Sequence, residues 1–194
     1  MMRMCAGTFM IVMAAFAAGG CMDGSGDPGA NPEGDLGSVQ SELQEVRNGP
    51  TFGGSGGNNF YPLVWHVGQR ISKVKVWWGN EVDGISVFYL NWDGSEDEEH
   101  YGGWGGDHKG DTFEIFTNDG EELWAIFGTT GSRVDSVNFI TSWGRYSPHY
   151  GGWGGSRSYY SDPTQAPRPG MKLGGLFGKG NVTIDRIGEV WYLP

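Results

Sequence analysis

Short apolar runs separated by turns recur along the chain from residue 49 onward. In the run from Lys73 to Trp78, lysines alternate with valines, which places the two residue types on opposite faces of an extended segment. Runs of this kind, bounded by glycine and rich in β-branched and aromatic residues, are typical of strands, and no segment keeps a helical period. The predicted strands cover 71–78, 85–90, 112–117, 123–127, 134–141, 171–177 and 184–193. The pattern therefore predicts an all-β domain over residues 50–194.

A set of four aliphatic positions recurs three times in this domain. Aligned on Asp83, Asp135 and Asp185, aliphatic residues stand twelve and nine positions before each aspartate, one position before it and two after it. Each copy therefore has a strand, a tight loop and a second strand, with the aspartate where the chain leaves the loop. One copy buries too little surface to be stable alone, so the copies must close around a shared core. We expect a three-sheet prism with pseudo-threefold symmetry, built from units 50–100, 101–149 and 150–194.

Three glycine-rich runs form a second repeat in the same domain. The runs 53–57, 102–106 and 151–155 all read Gly-Gly-x-Gly-Gly, and their first residues lie 49 positions apart. Glycine reaches positive φ angles and leaves the backbone bare, so another group can approach it closely. The constant spacing predicts three equivalent loops, each facing something that needs such close approach.

Composition and charge narrow the class of protein. The chain holds 36 glycines, yet its 9 tryptophans, 8 tyrosines and 10 phenylalanines can bury enough surface to fold it. A net charge of −10 argues against nucleic acid or an anionic membrane surface as the main ligand. Cys5 and Cys21 both lie in the leader, so the domain has neither a disulfide framework nor a thiolate metal site.

The first part of the chain has the composition of an export leader. Residues 1–20 carry a weakly basic start and a short apolar run, which match a secretory signal peptide. The small residues before Cys21 resemble a bacterial lipoprotein signal, which implies lipidation of Cys21 and anchoring to a membrane. Met22, in place of an aspartate, favours an outer-membrane or cell-surface destination in a bacterial envelope; ordinary signal cleavage nearby is the alternative. Residues 21–49 are acidic and poor in core-forming residues, so we expect a flexible tether.

Both loop types, their order and the ending Asp185-Arg186-Ile187-Gly188 resemble the jacalin-related lectins. The resemblance covers the whole domain and implies the β-prism I fold, with three Greek-key-like four-stranded sheets. Because all three glycine runs are complete, the chain looks most like the three-site, griffithsin-like members of that family. The resemblance implies a metal-independent carbohydrate-binding lectin with no cofactor and no enzymatic activity, and it leaves self-association into a homo-oligomer open.

In that family each aspartate loop works beside a glycine loop. A carboxylate can accept hydrogen bonds from two neighbouring sugar hydroxyls, while the turn and the last glycine of the run supply backbone N–H donors. The structural alternative is that each aspartate only ties down its own loop. The candidate sugar-binding residues are Asn80, Glu81, Asp83 and Gly106 in the first site, Ser132, Arg133, Asp135 and Gly155 in the second, and Val182, Thr183, Asp185 and Gly57 in the third.

The sugar preferred by the family depends on the chain end beside the first site. Galactose-preferring members use a glycine N-terminus released by processing, and no such cut is evident before Gly53. The resemblance therefore implies mannose or glucose. The third loop begins with Asn181 where glycine is expected, and we expect asparagine to keep the turn because it tolerates positive φ.

Three further features leave alternatives open. The second turn residue, often aromatic in three-site relatives, is here Glu81, Arg133 or Thr183, which weakens stacking on the sugar. Trp104 and Trp153 stand in the middle of two glycine runs, where we favour padding of the prism end over stacking on a second sugar ring. The acidic segment 93–99 reads as a solvated hairpin tip, the alternative being repulsion of anionic glycans from the first site.

Three functions compete at this level. The first is a lectin displayed on a cell surface, with up to three mannose- or glucose-type sites and glycans as its partners. The alternative is a β-prism used as a structural or protein-adhesion module without sugar binding. A glycan-processing enzyme is disfavoured because no loop offers a pair of carboxylates suited to acid and base catalysis.

Overall fold

The computed structural model describes residues 45–63 and 69–194, so the signal peptide, Cys21 and most of segment 21–49 lie outside the described residues. Within the described ranges, no helix has the length and apolar character needed to cross a membrane. A 3-10 turn covers Thr117–Asp119. The strands in chain order are β1 Val46–Gly53, β2 Asn58–Phe60, β3 Arg70–Trp78, β4 Val82–Leu90, β5 Glu96–Gly102, β6 His108–Glu114, β7 Leu123–Thr130, β8 Val134–Thr141, β9 Tyr150–Gly151, β10 Arg157–Ser161, β11 Lys172–Gly180 and β12 Ile184–Tyr192.

The strands form three four-stranded antiparallel sheets. Their strand orders are β5-β4-β3-β6, β10-β7-β8-β9 and β1-β12-β11-β2. The central pair of each sheet is the long hairpin that carries one of the three aspartates: β3 with β4, β7 with β8, and β11 with β12. The all-β prediction and the predicted three-sheet architecture are confirmed.

The core contains every aliphatic position of the aspartate repeat. The two positions within each strand lie three residues apart, so alternation alone would put them on opposite faces. A β-bulge between the members of each pair brings both side chains to the interior. All are buried to less than one tenth exposure, and they belong to one contiguous hydrophobic cluster. They are Ile71, Val74, Val82, Ile85, Leu123, Ile126, Val134, Val137, Leu173, Leu176, Ile184 and Ile187.

The boundaries of the sheets differ from those of the predicted units. The run 102–106 links β5 to β6 and therefore belongs to the same sheet as Asp83, not to the next unit. The third sheet joins both ends of the domain, because β1 and β2 flank β12 and β11. Each aspartate loop and its glycine run are thus held by one sheet.

The strands missed by sequence are edge strands with polar or glycine-rich composition: β1, β2, β5, β9 and β10. An edge strand pairs through its backbone on one side only, so it needs no continuous apolar pattern. The predicted strand 112–117 instead ends at Glu114, and the chain then enters the 3-10 turn. The first strand begins at Val46, within the last residues of segment 21–49.

The acidic segment 93–99 lies away from the first aspartate. Leu90 pairs with Glu96 at one end of the β4–β5 hairpin, whereas Gly84, next to Asp83, pairs with Gly102 at the other. The tip is a turn in which the Asp93 carboxylate accepts a bond of 2.9 Å from the Ser95 backbone N–H. The alternative that this tip repels anionic glycans from the Asp83 site is therefore wrong, because the tip is at the opposite end of the prism.

Candidate functional site

Each aspartate follows a tight turn of the same form. The backbone N–H of the first turn residue donates to the carbonyl two residues later, at 3.0 Å from Gly79, 2.9 Å from Gly131 and 3.1 Å from Asn181. Among the described residues, only glycines have a positive φ, and Gly79 and Gly131 are not among the glycines that do. The expectation that Asn181 keeps the turn is therefore confirmed, although the turn does not need positive φ at this residue. The Asn181 side chain also accepts a bond of 3.3 Å from the Asn58 backbone N–H.

The last two glycines of each run lie directly against one aspartate carboxylate. A Cβ on the fifth glycine would come within 2.7 to 2.9 Å of a carboxylate oxygen, which leaves no room for any side chain. The fifth glycine also has positive φ in all three runs. The structure thereby brings together Asp83 with Gly105 and Gly106, Asp135 with Gly154 and Gly155, and Asp185 with Gly56 and Gly57.

The second glycine of each run connects one aspartate to a neighbouring loop. Its backbone N–H donates to the carbonyl of the aspartate, at 2.7 Å from Gly54, 2.8 Å from Gly103 and 2.9 Å from Gly152. Its Cα faces the backbone of another turn so closely that a Cβ would collide with it. The contacts join Gly54 to Ser132, Gly103 to Val182 and Gly152 to Asn80. The three sites therefore form one continuous ring at this end of the prism.

Arg133 does not form an ion pair with the aspartate of its own loop. Its guanidinium pairs with the Glu81 carboxylate, and its Nε lies 3.9 Å from Asp185 Oδ1. The arginine therefore connects the first and third sites, and it leaves Asp135 without a cationic partner among the described residues. Thr183, the third residue at this turn position, is half-buried.

The electrostatic surroundings of the carboxylates differ. Burial raises the pKa of Asp83, and the charges of Glu81 and Asp107 raise that pKa further, against the opposing effect of Arg133. At Asp135 the Oδ2 atom is buried and has no hydrogen-bond partner in the described protein. An unpaired buried acceptor costs stability.

The two tryptophans in the glycine runs have different environments. Trp153 is 90% exposed as a residue, and its ring stacks on that of His149, with ring centroids 4.2 Å apart. Trp104 is 59% exposed, stacks on His100 and meets the edge of Trp77 at 4.7 Å. The expectation that the tryptophan packs against the end of the prism is therefore wrong for Trp153. Sequence reasoning missed both histidines, although each stands four residues before its tryptophan.

The arrangement is suited to binding hydroxyl groups rather than to catalysis. Each site combines one carboxylate with the backbone of a turn and of a glycine run, so it can accept from two hydroxyls and donate to others. In the part of the chain that the structure describes, no three His, Cys, Asp or Glu side chains are grouped so that they could hold a metal ion.

Comparison with known proteins gives one family and one fold. The family model described as a jacalin-like lectin domain matches residues 50–190. Malaysian banana lectin is 22% identical with a TM-score of 0.63, and the match covers 77% of this chain and 100% of that one. AcmJRL, a mannose-binding jacalin-related lectin from Ananas comosus, is 24% identical with a TM-score of 0.61, covering 77% and 99%. Calsepa lectin in complex with a biantennary N-glycan is 23% identical with a TM-score of 0.57, covering 78% and 98%. No curated protein sequence matches the chain significantly.

Proposed function

Because this chain belongs to the family of jacalin-like lectin domains, which bind carbohydrate and are not enzymes, we propose that it binds mannose- or glucose-type sugars without a metal ion. The sugar would lie at the end of the prism where the aspartates and glycine runs meet. Its hydroxyls would donate to the carboxylate and accept from backbone N–H groups of the turn and the glycine run.

The observation that carries this proposal is the contact between an aspartate carboxylate and the bare backbone of a glycine run, as at Asp135. Its Oδ2 is buried with no partner in the described protein, and the backbone of Gly154 and Gly155 lies against the same carboxylate. A carboxylate held against bare backbone with no cationic partner can accept from sugar hydroxyls in a partly dry site, where such hydrogen bonds are stronger than in water. The glycines leave space for a ligand ring to approach the backbone, which a side chain would prevent.

Repetition supports a count of up to three sites, as in griffithsin-like lectins. The same contact between an aspartate and the last two glycines of a run occurs at Asp83, Asp135 and Asp185. Shallow single sites bind weakly, so several sites at one end of the prism would act together on a branched glycan or a glycan surface.

The names of the structural neighbours support the sugar class. The Ananas comosus lectin is named as mannose-binding, and Calsepa lectin was solved with a biantennary N-glycan. The identities are low, so the neighbours support the shared fold, and the sugar specificity stays a proposal about this chain's own pockets.

Calorimetry with methyl α-mannoside tests the proposed function. The full chain should bind the sugar, and Asp83→Ala, Asp135→Ala and Asp185→Ala should each remove one site. We expect a loss of about ten- to a hundredfold in affinity at the altered site, because a charge-assisted hydrogen bond is lost. Asp119→Ala is the matched control, since this exposed aspartate lies on the 3-10 turn at the opposite end.

Protein adhesion is the second candidate function. Exposed aromatic side chains at the end of the prism opposite the three aspartates favour it. Trp92 is 94% exposed in the β4–β5 turn, and Trp143 and Phe116 are exposed in other turns of the same end. Phe116 and Trp143 contact each other with ring centroids 6.4 Å apart, and contiguous exposed apolar surface of this kind is typical of protein contacts. If the wild-type chain binds no mannoside, glucoside or other neutral glycan, the lectin proposal fails and adhesion through this end becomes the function to test.

Display on a cell surface is a separate part of the proposal. The motif before Cys21 supports lipidation of that cysteine and an anchor in a bacterial outer membrane, with the domain exposed on a tether. These residues lie outside the described structure, so the support is the sequence alone. Mass spectrometry of the mature N-terminus should find an acylated Cys21, and an unmodified N-terminus would refute the anchor.

A further inference from the structure

A groove of about 300 Å³ runs along the outer face of the β7–β8 hairpin, next to the Asp135 pocket. Asp135 is the bulged residue of β8, and Ser136, which follows it, lines the groove. Gly152 and Trp153 also line the groove, and the next residue, Gly154, lies against the Asp135 carboxylate. The side chains that matter for recognition are Phe127, Thr129, Ser136, Asn138, Trp153 and Tyr160.

Trp153 connects the pocket to the groove. It lies between Gly152, which donates to the Asp135 carbonyl, and Gly154, which lies against the Asp135 carboxylate. One ring face stacks on His149 with an interplanar angle of 7°, and that histidine is hydrogen-bonded through Nε2 to the Gly152 carbonyl at 3.2 Å. The indole is therefore held in place while most of its surface faces solvent.

The groove combines apolar surface with a few polar groups. Phe127 and Tyr160 contribute ring surface, with centroids 6.5 Å apart. The hydroxyls of Thr129 and Ser136 lie 2.9 Å apart, so one of them donates to the other and the pair presents polar atoms at the inner end. Ring surface with a small number of fixed polar groups is the usual composition of a small-molecule site. A pyranose fits this composition, because it has an apolar face of C–H groups and a rim of hydroxyls.

The corresponding faces of the other two sheets lack this combination. In the first sheet Trp77 meets Trp104 edge-on at 4.7 Å and His100 at 4.9 Å, so the tryptophan of the glycine run packs against protein. In the third sheet the residue in the middle of the run is Ser55, and the groove there is lined by Lys179 and Arg186. Within residues 45–63 and 69–194, the combination of an exposed tryptophan and a neutral groove therefore belongs to the Asp135 site.

We propose that this groove is an extension of the Asp135 site that binds the next sugar of a mannose-type oligosaccharide, with Trp153 as the stacking platform between the two rings. The inference rests on the proposed function, because it assumes a terminal sugar at Asp135. It adds a preference of one site for oligosaccharides over monosaccharides.

The test uses the full chain carrying Asp83→Ala and Asp185→Ala, so that the Asp135 site acts alone. Dissociation constants for methyl α-mannoside and for a linear α-linked mannotriose are measured by calorimetry, and their ratio is the readout. The trisaccharide should bind more tightly, and Trp153→Ala should reduce that advantage about three- to tenfold, the effect of one aromatic stacking contact. Tyr160→Ala, which leaves the glycine run intact, should reduce the same ratio.

Trp104→Ala in the same background is the matched control and should leave the ratio unchanged, because that tryptophan belongs to the first sheet. An unchanged ratio in both Trp153→Ala and Tyr160→Ala would overturn the extension while the Asp135 site itself still bound methyl α-mannoside. Absence of binding by either sugar to the wild-type chain would instead overturn the proposed function, and with it this inference.

Discussion

The sites around Asp135 and Asp83 share one backbone frame and differ in charge. Both aspartates lie against the last two glycines of a run and accept a backbone hydrogen bond from the second glycine. Asp83 is surrounded by the acidic groups Glu81 and Asp107, which together with burial raise its pKa. Asp135 has a buried carboxylate oxygen without a partner and an exposed tryptophan beside it.

The difference between the two sites shows which residue positions of the repeat are constrained and which can vary. Glycine and aspartate are constrained because their backbone and carboxylate touch, so a substitution at either would destroy the pocket. Two outward-facing positions do vary. The second turn residue is Glu81 in the Asp83 site and Arg133 in the Asp135 site, and the residue after the glycine run is Asp107 or Ser156, respectively. Trp153 beside Asp135 offers an exposed ring for stacking, whereas Trp104 packs on Trp77, so we expect the Asp135 site to bind neutral sugars more tightly than the Asp83 site.

The largest expected effect comes from closing the Asp135 pocket with Gly155→Ala. A Cβ there would lie 2.9 Å from the Asp135 carboxylate, and the backbone has a φ of +87°. Affinity at that site should fall by at least about tenfold, since the carboxylate must move away from its ligand position. Gly106→Ala should close the Asp83 pocket and remove less of the wild-type binding. Calorimetry with methyl α-mannoside measures both losses.

Gly144→Ala is the control for backbone strain. Gly144 has a φ of +76°, and no atom lies within 4 Å of the position that a Cβ would take, so alanine there meets the same strain without a collision. It should lower stability by about 1–2 kcal/mol, as for any non-glycine residue at positive φ, and keep sugar binding. Equal losses of binding in Gly106→Ala and Gly155→Ala would contradict the difference between the two sites.

The parts of this frame that sequence could predict are those that repeat. Aliphatic spacing identified the central hairpins, because a buried strand must present apolar side chains at fixed intervals. The resemblance to the jacalin-related lectins also paired Asp135 with Gly155, a contact that needs glycine at one position and a short carboxylate at the other. The edge strands, such as β5, were missed because backbone pairing alone holds them in the sheet.

The side-chain contacts that distinguish the sites could not be predicted in the same way. Arg133 reaches Glu81, which is distant in sequence, and this pairing depends on how the turns meet at the prism end. The exposure of Trp153 and the packing of Trp104 depend on whether Trp77 stands beside the loop. Such contacts join residues that are distant in sequence, and no local pattern in one repeat records them.

A smaller effect should appear in the pH dependence of the Asp83 site. Its pKa is raised, so the carboxyl becomes protonated at a higher pH than an ordinary aspartate, near 3.9, and then no longer accepts two hydroxyl hydrogen bonds. In the chain with Asp135→Ala and Asp185→Ala, affinity for methyl α-mannoside should therefore fall on acidification with a midpoint above that ordinary value. Glu81→Gln removes one of the charges that raise the pKa, so it should move the midpoint to lower pH and strengthen binding near it by a few fold.

Asp119→Asn, at the opposite end of the prism, is the control and should leave the pH midpoint unchanged. A midpoint unaffected by Glu81→Gln would mean that the Glu81 charge does not raise the pKa of Asp83, and would contradict this part of the contrast in charge between the two sites.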